Sequence, residues 1–318
     1  MMMSLFKHGV KLTIYHFLGF LLNFVLSFLL TILFYILVLL TVVGTIGAIG
    51  GVNLFTDYIL NEKQFEAIVS SIAVVPFLII IFLYVLFVMI LQSMLIGGLY
   101  GSTIESVYEN RSSVRSYFAH SFRHIWRLTS VQLAQFFIAL PITLGLVLGN
   151  VAVMEAFGEV FGFLSILVSL VIMMLILTVY LHTPIFVVRL RTKVWRSIAL
   201  TFRLLLVSPF RTFFACMLFL GTNILINGLY VLTVSVPAVL GYYLLEGVFA
   251  GGVLEVVLAI YLLIVILIWG LIIIPFTGTF SLLLLVRHYR QHFEPIVEPM
   301  GMGGNVYQDG PLFQMKRK

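Results

Sequence analysis

Charge is what this chain has least of. Only 9% of its 318 residues are Asp, Glu, Lys or Arg, against roughly a quarter in soluble domains. Water is therefore not its main solvent. Cysteine is nearly absent too: Cys216 stands alone inside an apolar run, which excludes a disulfide within the chain and reads as a small buried hydrophobe. No phosphate-cradling glycine loop, no GxSxG elbow and no paired carboxylates at membrane depth occur in the sequence. Those absences remove the usual signatures of nucleotide hydrolysis, acyl transfer and general acid–base work. The chain reads as non-enzymatic, with no cofactor.

What it has is apolar length. Hydrophobic residues make up 62%, and the mean hydropathy is +1.18. Six apolar runs, 17–43, 67–99, 129–150, 160–186, 207–240 and 253–285, are each long enough to cross the hydrocarbon core as a helix, which takes about 20 residues. None alternates in the manner of a barrel strand. The expected fold is an all-α polytopic membrane protein with six transmembrane helices. The first run far exceeds the about 7–15 residues of a signal-peptide core, so it reads as a retained span.

Charge sign then sets orientation. One side of the expected membrane carries Lys7, Lys11, Arg111, Arg115, Arg123, Arg127, Arg189, Arg191, Lys193, Arg196, Arg203, Arg211, Arg287, Arg290 and the closing Lys-Arg-Lys. The other carries Lys63 with Asp57, Glu62, Glu66, Glu155, Glu159, Glu246 and Glu255. The positive-inside rule makes the basic side cytoplasmic. Both termini are expected there, in the plasma (inner) membrane of a prokaryote. The net charge of +6 needs no nucleic acid as partner, because anionic lipid headgroups account for it.

Between the spans a pattern recurs. On a helical wheel, Phe118, Phe122, Ile125 and Trp126 fall on one side of the segment SYFAHSFRHIWRL, with His120, Arg123 and Arg127 opposite. That is an amphipathic helix suited to the membrane interface. Displaced by 112 residues, Ser4, Phe6, His8, Val10 and Lys11 match Ser116, Phe118, His120, Phe122 and Arg123. Displaced by 80, Ala119, Phe122 and Arg123 match Ala199, Phe202 and Arg203. Each copy precedes two spans, so residues 1–293 read as three units (about 4–110, 111–190 and 191–293), each an interfacial helix plus a helical hairpin. Residues 294–318, rich in Pro, Gly and Met, read as a disordered cytoplasmic tail.

Residues 184–211, PIFVVRLRTKVWRSIALTFRLLLVSPFR, set a proline late in one span and an Ala-x-Thr-Phe-Arg-Leu motif before the next. Through Pro184, Ala199, Thr201, Phe202, Arg203 and Leu204 this stretch resembles the membrane domain of glycerophosphoryl diester phosphodiesterases and related uncharacterised six-span prokaryotic membrane proteins. The resemblance implies the helix-plus-two-spans plan. Active members of that family carry a separate catalytic domain, for which residues 294–318 leave no room, so the activity is not carried over.

Candidate sites are few. Intramembrane polar groups are functional candidates by default: Asn223 and Asn227, four residues apart in the fifth span; Gln132 and Gln135, early in the third; and His182, near the basic end of the fourth. Amides at such depth ordinarily cement helix packing; the sharper reading is a polar path. The His120/His124 and His288/His292 spacings lack HExxH, so these pairs read as headgroup-facing imidazoles rather than metal ligands, and His182 otherwise reads as a satisfied polar residue near the interface. Glu105 and Glu109 read as solvated partners of Arg111 and Arg115. Lipid contact is expected at Phe118, Phe122, Trp126, Arg123, Arg127, Phe202, Arg203, Lys7 and Lys11. The expected function is that of a membrane protein acting through lipids or partner proteins, a second copy of itself included. The alternative is a transporter or channel for a neutral solute or lipid.

Overall fold

The computed structural model describes the backbone of residues 2–50, 74–111, 113–245 and 253–297, and side chains at 9–44, 76–111, 113–242 and 256–297. Among these residues every element is helical: α1 (Met2–Gly50), α2 (Val74–Glu109), α3 (Val114–Phe157), α4 (Glu159–Arg189), α5 (Val194–Val207), α6 (Pro209–Leu245), α7 (Val253–Ile268), a π-helical segment (Trp269–Ile273), α8 (Ile274–His292) and α9 (Glu294–Val297). Six helical stretches are long and apolar enough to cross a membrane: Gly9–Gly44, Pro76–Glu109, Val114–Phe157, Glu159–Arg189, Pro209–Tyr242 and Val256–His292. Each overlaps one apolar run of the sequence, and the part of the second run at 67–73 lies outside the described residues. The chain is a multi-pass α-helical membrane protein.

It divides into two compact units. The smaller, Leu21–Gln92, is a two-helix seam made by parts of α1 and α2. Asn23 Nδ2 donates to the Leu91 carbonyl at 2.8 Å, and the Thr31 and Tyr84 hydroxyls lie 3.2 Å apart. The Phe34 and Tyr84 rings pack at 4.4 Å between centroids. Polar clamps of this kind do what apolar contact cannot, because lipid tails compete with leucine as partners.

The larger unit, Met1–Phe20 with Ser93–Lys318, is built around the last three turns of α4. Thr178, Val179 and then every residue from Leu181 to Val188 are buried there, so this stretch is enclosed on all sides. The Tyr100 hydroxyl of α2 donates to the Leu181 carbonyl at 2.9 Å, and Thr183 meets Thr201 of α5 at 3.1 Å. Phe186 packs edge-on against Tyr289 of α8 at 5.6 Å. Toward the other end of α3 and α4 only a narrow stripe on each helix is partly covered, and Leu144, Val147, Leu148, Phe163 and Leu167 are exposed. There the pair is again a seam, with Ser169 donating to Asn150 Oδ1 at 3.1 Å. A third seam joins α6 to α7, where Tyr230 and Tyr261 each donate to a carbonyl of the facing helix, Val265 and Val234.

The turns follow from backbone chemistry. Asn110 and Arg191 adopt positive φ (57° and 51°) directly after α2 and α4. Asparagine tolerates that region and arginine does not readily. Gly158, between α3 and α4, has φ 83° and ψ 179°, a conformation open essentially to glycine alone. The π-helical segment ends just before Pro275, which has no N–H for the Leu271 carbonyl; the Ile274 N–H instead reaches back five residues to Trp269.

The three expected amphipathic segments differ in one respect. Segment 116–127 is the start of a continuous 44-residue helix, about 66 Å long at 1.5 Å per residue, and α1 is equally unbroken. Only the third copy, α5, is set apart from its span, at Ser208. Residues 294–297 of the expected tail form the single turn α9, with Val297 buried. The rest of that expectation, 298–318, lies outside the described residues, as do the side chains of Lys7 and His8.

Candidate functional site: a buried polar core beside a cationic corner

Polar side chains gather inside the larger unit. His16 is fully buried, its Nδ1 2.7 Å from Thr279 Oγ1 and its Nε2 2.8 Å from Ser102 Oγ, tying α1 to α2 and α8. Both hydroxyls also reach a carbonyl of their own helix, Pro275 and Gly98. A neutral imidazole has one donor and one acceptor nitrogen, so one of these hydroxyls must turn to donate to the ring. Ser93 donates to Gln132 Oε1 at 3.0 Å, and Gln135 Nε2 donates to the Val179 carbonyl at 3.4 Å. His182 is fully buried; its Nδ1 bonds the Thr178 carbonyl at 2.9 Å, and its ring meets Phe293 at 5.7 Å. His182 Nε2 and Thr103 Oγ1 have no hydrogen-bond partner among the described residues.

This arrangement corrects the reading of the histidines. His124 and His288 are buried, not turned to headgroups; His16 and His182 are buried too, and of the histidines whose side chains are described only His292 is exposed. The sequence offered no sign of it, since an imidazole between apolar neighbours suits either a headgroup or a hydroxyl on the next helix. Among the described residues no group of three metal-ligating side chains comes together.

Asn223 and Asn227 face neighbouring helices. Asn223 Nδ2 donates to Ser281 Oγ at 2.7 Å as well as to the Phe219 carbonyl. Asn227 Oδ1 accepts from Trp269 Nε1 at 2.8 Å while its Nδ2 bonds the Asn223 carbonyl.

Around the polar core the surface is basic and aromatic. On α5, Ser197, Ile198, Thr201 and Leu204 are buried against the protein. Trp195, Phe202 and Leu206 are exposed, with Arg196 and Arg203 alongside. On α3, Phe122 and Trp126 are exposed, Phe118 is half-buried, and Arg123 and Arg127 are exposed between them, as is Lys11 on α1. Arg127 Nη1 donates to the Arg191 carbonyl at 3.2 Å. Partial burial first, and then the charges of Arg123 and Arg127, hold the Arg191 guanidinium below its usual pKa.

Carboxylates are placed differently from expectation. Glu105 is joined to Ser116 and lies 3.5 Å from His120 Nε2, rather than pairing with Arg111 or Arg115. Glu294 accepts from the Tyr108 hydroxyl at 2.9 Å and from Arg189 at 3.3 Å, while the Arg189 guanidinium lies 4.0 Å over the Tyr108 ring. This knot fastens α9 to α2 and α4, a link between residues far apart in sequence that local pattern cannot reveal.

Comparison with protein-family models, curated proteins and solved structures gives no match.

Proposed function

We infer that this chain is a non-enzymatic integral membrane protein that acts through anionic lipids or partner proteins, in assembly, regulation or homeostasis of the envelope. The observation that carries the reading is α5: one face holds Ser197, Thr201 and Leu204 against the protein, and the free surface offers Trp195, Phe202 and Leu206 beside Arg196 and Arg203. Rings at acyl depth with guanidiniums at headgroup depth describe a helix lying in the interface. The basic side is read as cytoplasmic, in a prokaryotic inner membrane, with both termini inside. The likeness of residues 184–211 to the membrane domains of glycerophosphoryl diester phosphodiesterases fits this plan.

A threefold repeat is part of the same reading. Asn23 and Gln135, separated by the 112-residue displacement, both donate to a carbonyl of their return helix, Leu91 and Val179. Asn110, of positive φ, ends the first unit, and Arg191, also of positive φ, directly follows the second.

The test is extraction of the chain in polymer-bounded native membrane discs, with analysis of the co-purified lipid. The reading predicts enrichment of anionic phospholipid over the bulk membrane. Bulk composition in the discs, together with no bound protein partner, contradicts it. A second reading, a conduit for a neutral solute or lipid, is favoured by one observation: His182 Nε2 and Thr103 Oγ1 are buried without partners. Solute flux or lipid exchange in proteoliposomes, above that of empty vesicles, would select it.

A further inference from the structure

Three arginines lie near one another at one corner of the larger unit. Arg123 and Arg127 stand one helical turn apart on α3, and Arg127 reaches the Arg191 carbonyl at 3.2 Å. Arg191 is half-buried at φ 51°. Its turn is pinned by the next residue, because Thr192 Oγ1 donates to the Phe186 carbonyl at 3.1 Å and lies 2.5 Å from Ser197 Oγ. The neighbouring His120 and His124 rings stack at 5.9 Å, and each has a buried Nδ1 without a partner among the described residues. Arg123 and Arg191 act electrostatically on both rings. The nearby carboxylate, Glu105, is engaged by Ser116 and His120. No acidic side chain pairs with Arg123, Arg127 or Arg191 among the described residues.

Three features of this corner are unfavourable for the protein alone. Like charges at i and i+4 oppose the helix, a non-glycine residue at positive φ is strained, and three guanidiniums repel one another. A bound anion would offset the repulsion among the arginines. Guanidinium forks match phosphate oxygens in geometry as well as charge. Aromatic residues give the depth: Phe122, Trp126 and Trp195 are 60%, 71% and 68% exposed, as rings are in the belts at headgroup level.

We propose that Arg123, Arg127 and Arg191 form a binding site for the phosphate of an anionic lipid, with a phosphomonoester headgroup as the preferred ligand. A monoester presents three terminal oxygens and a charge of about −1.5 to −2 at neutral pH, which suits three cations better than the single charge of a phosphodiester. The site deepens the lipid reading above and rests on it.

The experiment uses the full chain purified in neutral detergent, with thermal unfolding followed as short-chain phosphatidic acid, phosphatidylglycerol, phosphatidylcholine or inorganic phosphate is added. Phosphatidic acid should raise the midpoint by several degrees, phosphatidylglycerol less, and phosphatidylcholine and inorganic phosphate not measurably. Arg127→Gln and Arg191→Gln should each raise the phosphatidic acid concentration needed for half the shift by about tenfold, the loss of one strong polar contact. Arg115→Gln, exposed on α3, should behave as wild type. An unchanged response in the Arg127→Gln/Arg191→Gln pair overturns the site, and an equal shift from inorganic phosphate overturns its assignment to lipid. Should the variants not fold, native mass spectrometry of the wild type in a phosphatidic acid–phosphatidylglycerol mixture decides. Preferential retention of phosphatidic acid supports the site, and equal retention overturns it. Anionic lipid in the native discs with no loss in the variants defeats this site alone, whereas discs of bulk composition without a bound protein partner defeat the wider reading.

Discussion

Tyr117 occupies the space that a side chain on Gly98 would need: a β-carbon there would lie 2.5 Å from the ring's Cζ. The same ring closes over Gly19 of α1, so one buried tyrosine of α3 is held between two glycines on two other helices. His120 in turn fills the space beside Gly101. Gly98→Val should therefore force the α2–α3 contact apart and destabilise the protein by about 1–3 kcal/mol, the usual effect of overpacking. Gly145→Ala, at a position with nothing within 4 Å, should leave the detergent unfolding midpoint unchanged or raise it. Equal midpoints for the two variants would refute the wedge.

Gly158 is a backbone case rather than a packing case. Nothing lies within 4 Å of its missing side chain, yet its φ of 83° and ψ of 179° exclude other residues. Gly158→Ala should lower stability by about 1–3 kcal/mol, measured by thermal unfolding against Gly149→Ala as the open-space control.

The knot at Glu294 makes a third prediction. Glu294→Ala removes the acceptor of both Tyr108 and Arg189 and leaves a mostly covered guanidinium without its carboxylate. Hydrogen bonds to charged groups contribute about 1.5–3 kcal/mol, and a loss of that order should appear in unfolding. Hydrogen exchange should also quicken at Phe293 and Val297, which are buried in the wild type. Wild-type protection at both residues would show that the knot does not hold α9.

Orientation is tested by reporter fusions. Fusions at Glu62, Glu155 and Glu246 should report the extracytoplasmic side, and fusions at Ser113, Thr192 and Asn305 the cytoplasm. Reversal of any one breaks the assignment of the basic side.

The six spans were legible because a bilayer demands long apolar runs, and the chain supplies six. The inside of the bundle was not, for a reason peculiar to membranes. Lipid-facing Leu148 and core residues such as Phe186 are equally apolar, so hydrophobicity carries no inside-outside signal. Small-residue spacing was equally ambiguous: Gly97/Gly101 borders α3 closely while Gly145/Gly149 faces open space. Asn223 and Asn227 are expected to need partners on other helices, yet Ser281 and Trp269, which they meet, carry no local sign of being those partners.

That pair also gives the most direct test of whether the intramembrane polar groups serve packing and leave function to the lipid-facing surface. The measurement is the lipid content of native discs, with the unfolding midpoint, for Asn223→Leu/Asn227→Leu against wild type. Removing the bonds to Ser281 and Trp269 costs about 0.6–2 kcal/mol each. The account predicts normal insertion, unchanged enrichment of anionic lipid and a modestly lowered midpoint. A correctly inserted double variant whose midpoint is level or raised, and which has lost its enrichment, would contradict it and make these amides the lining of a path.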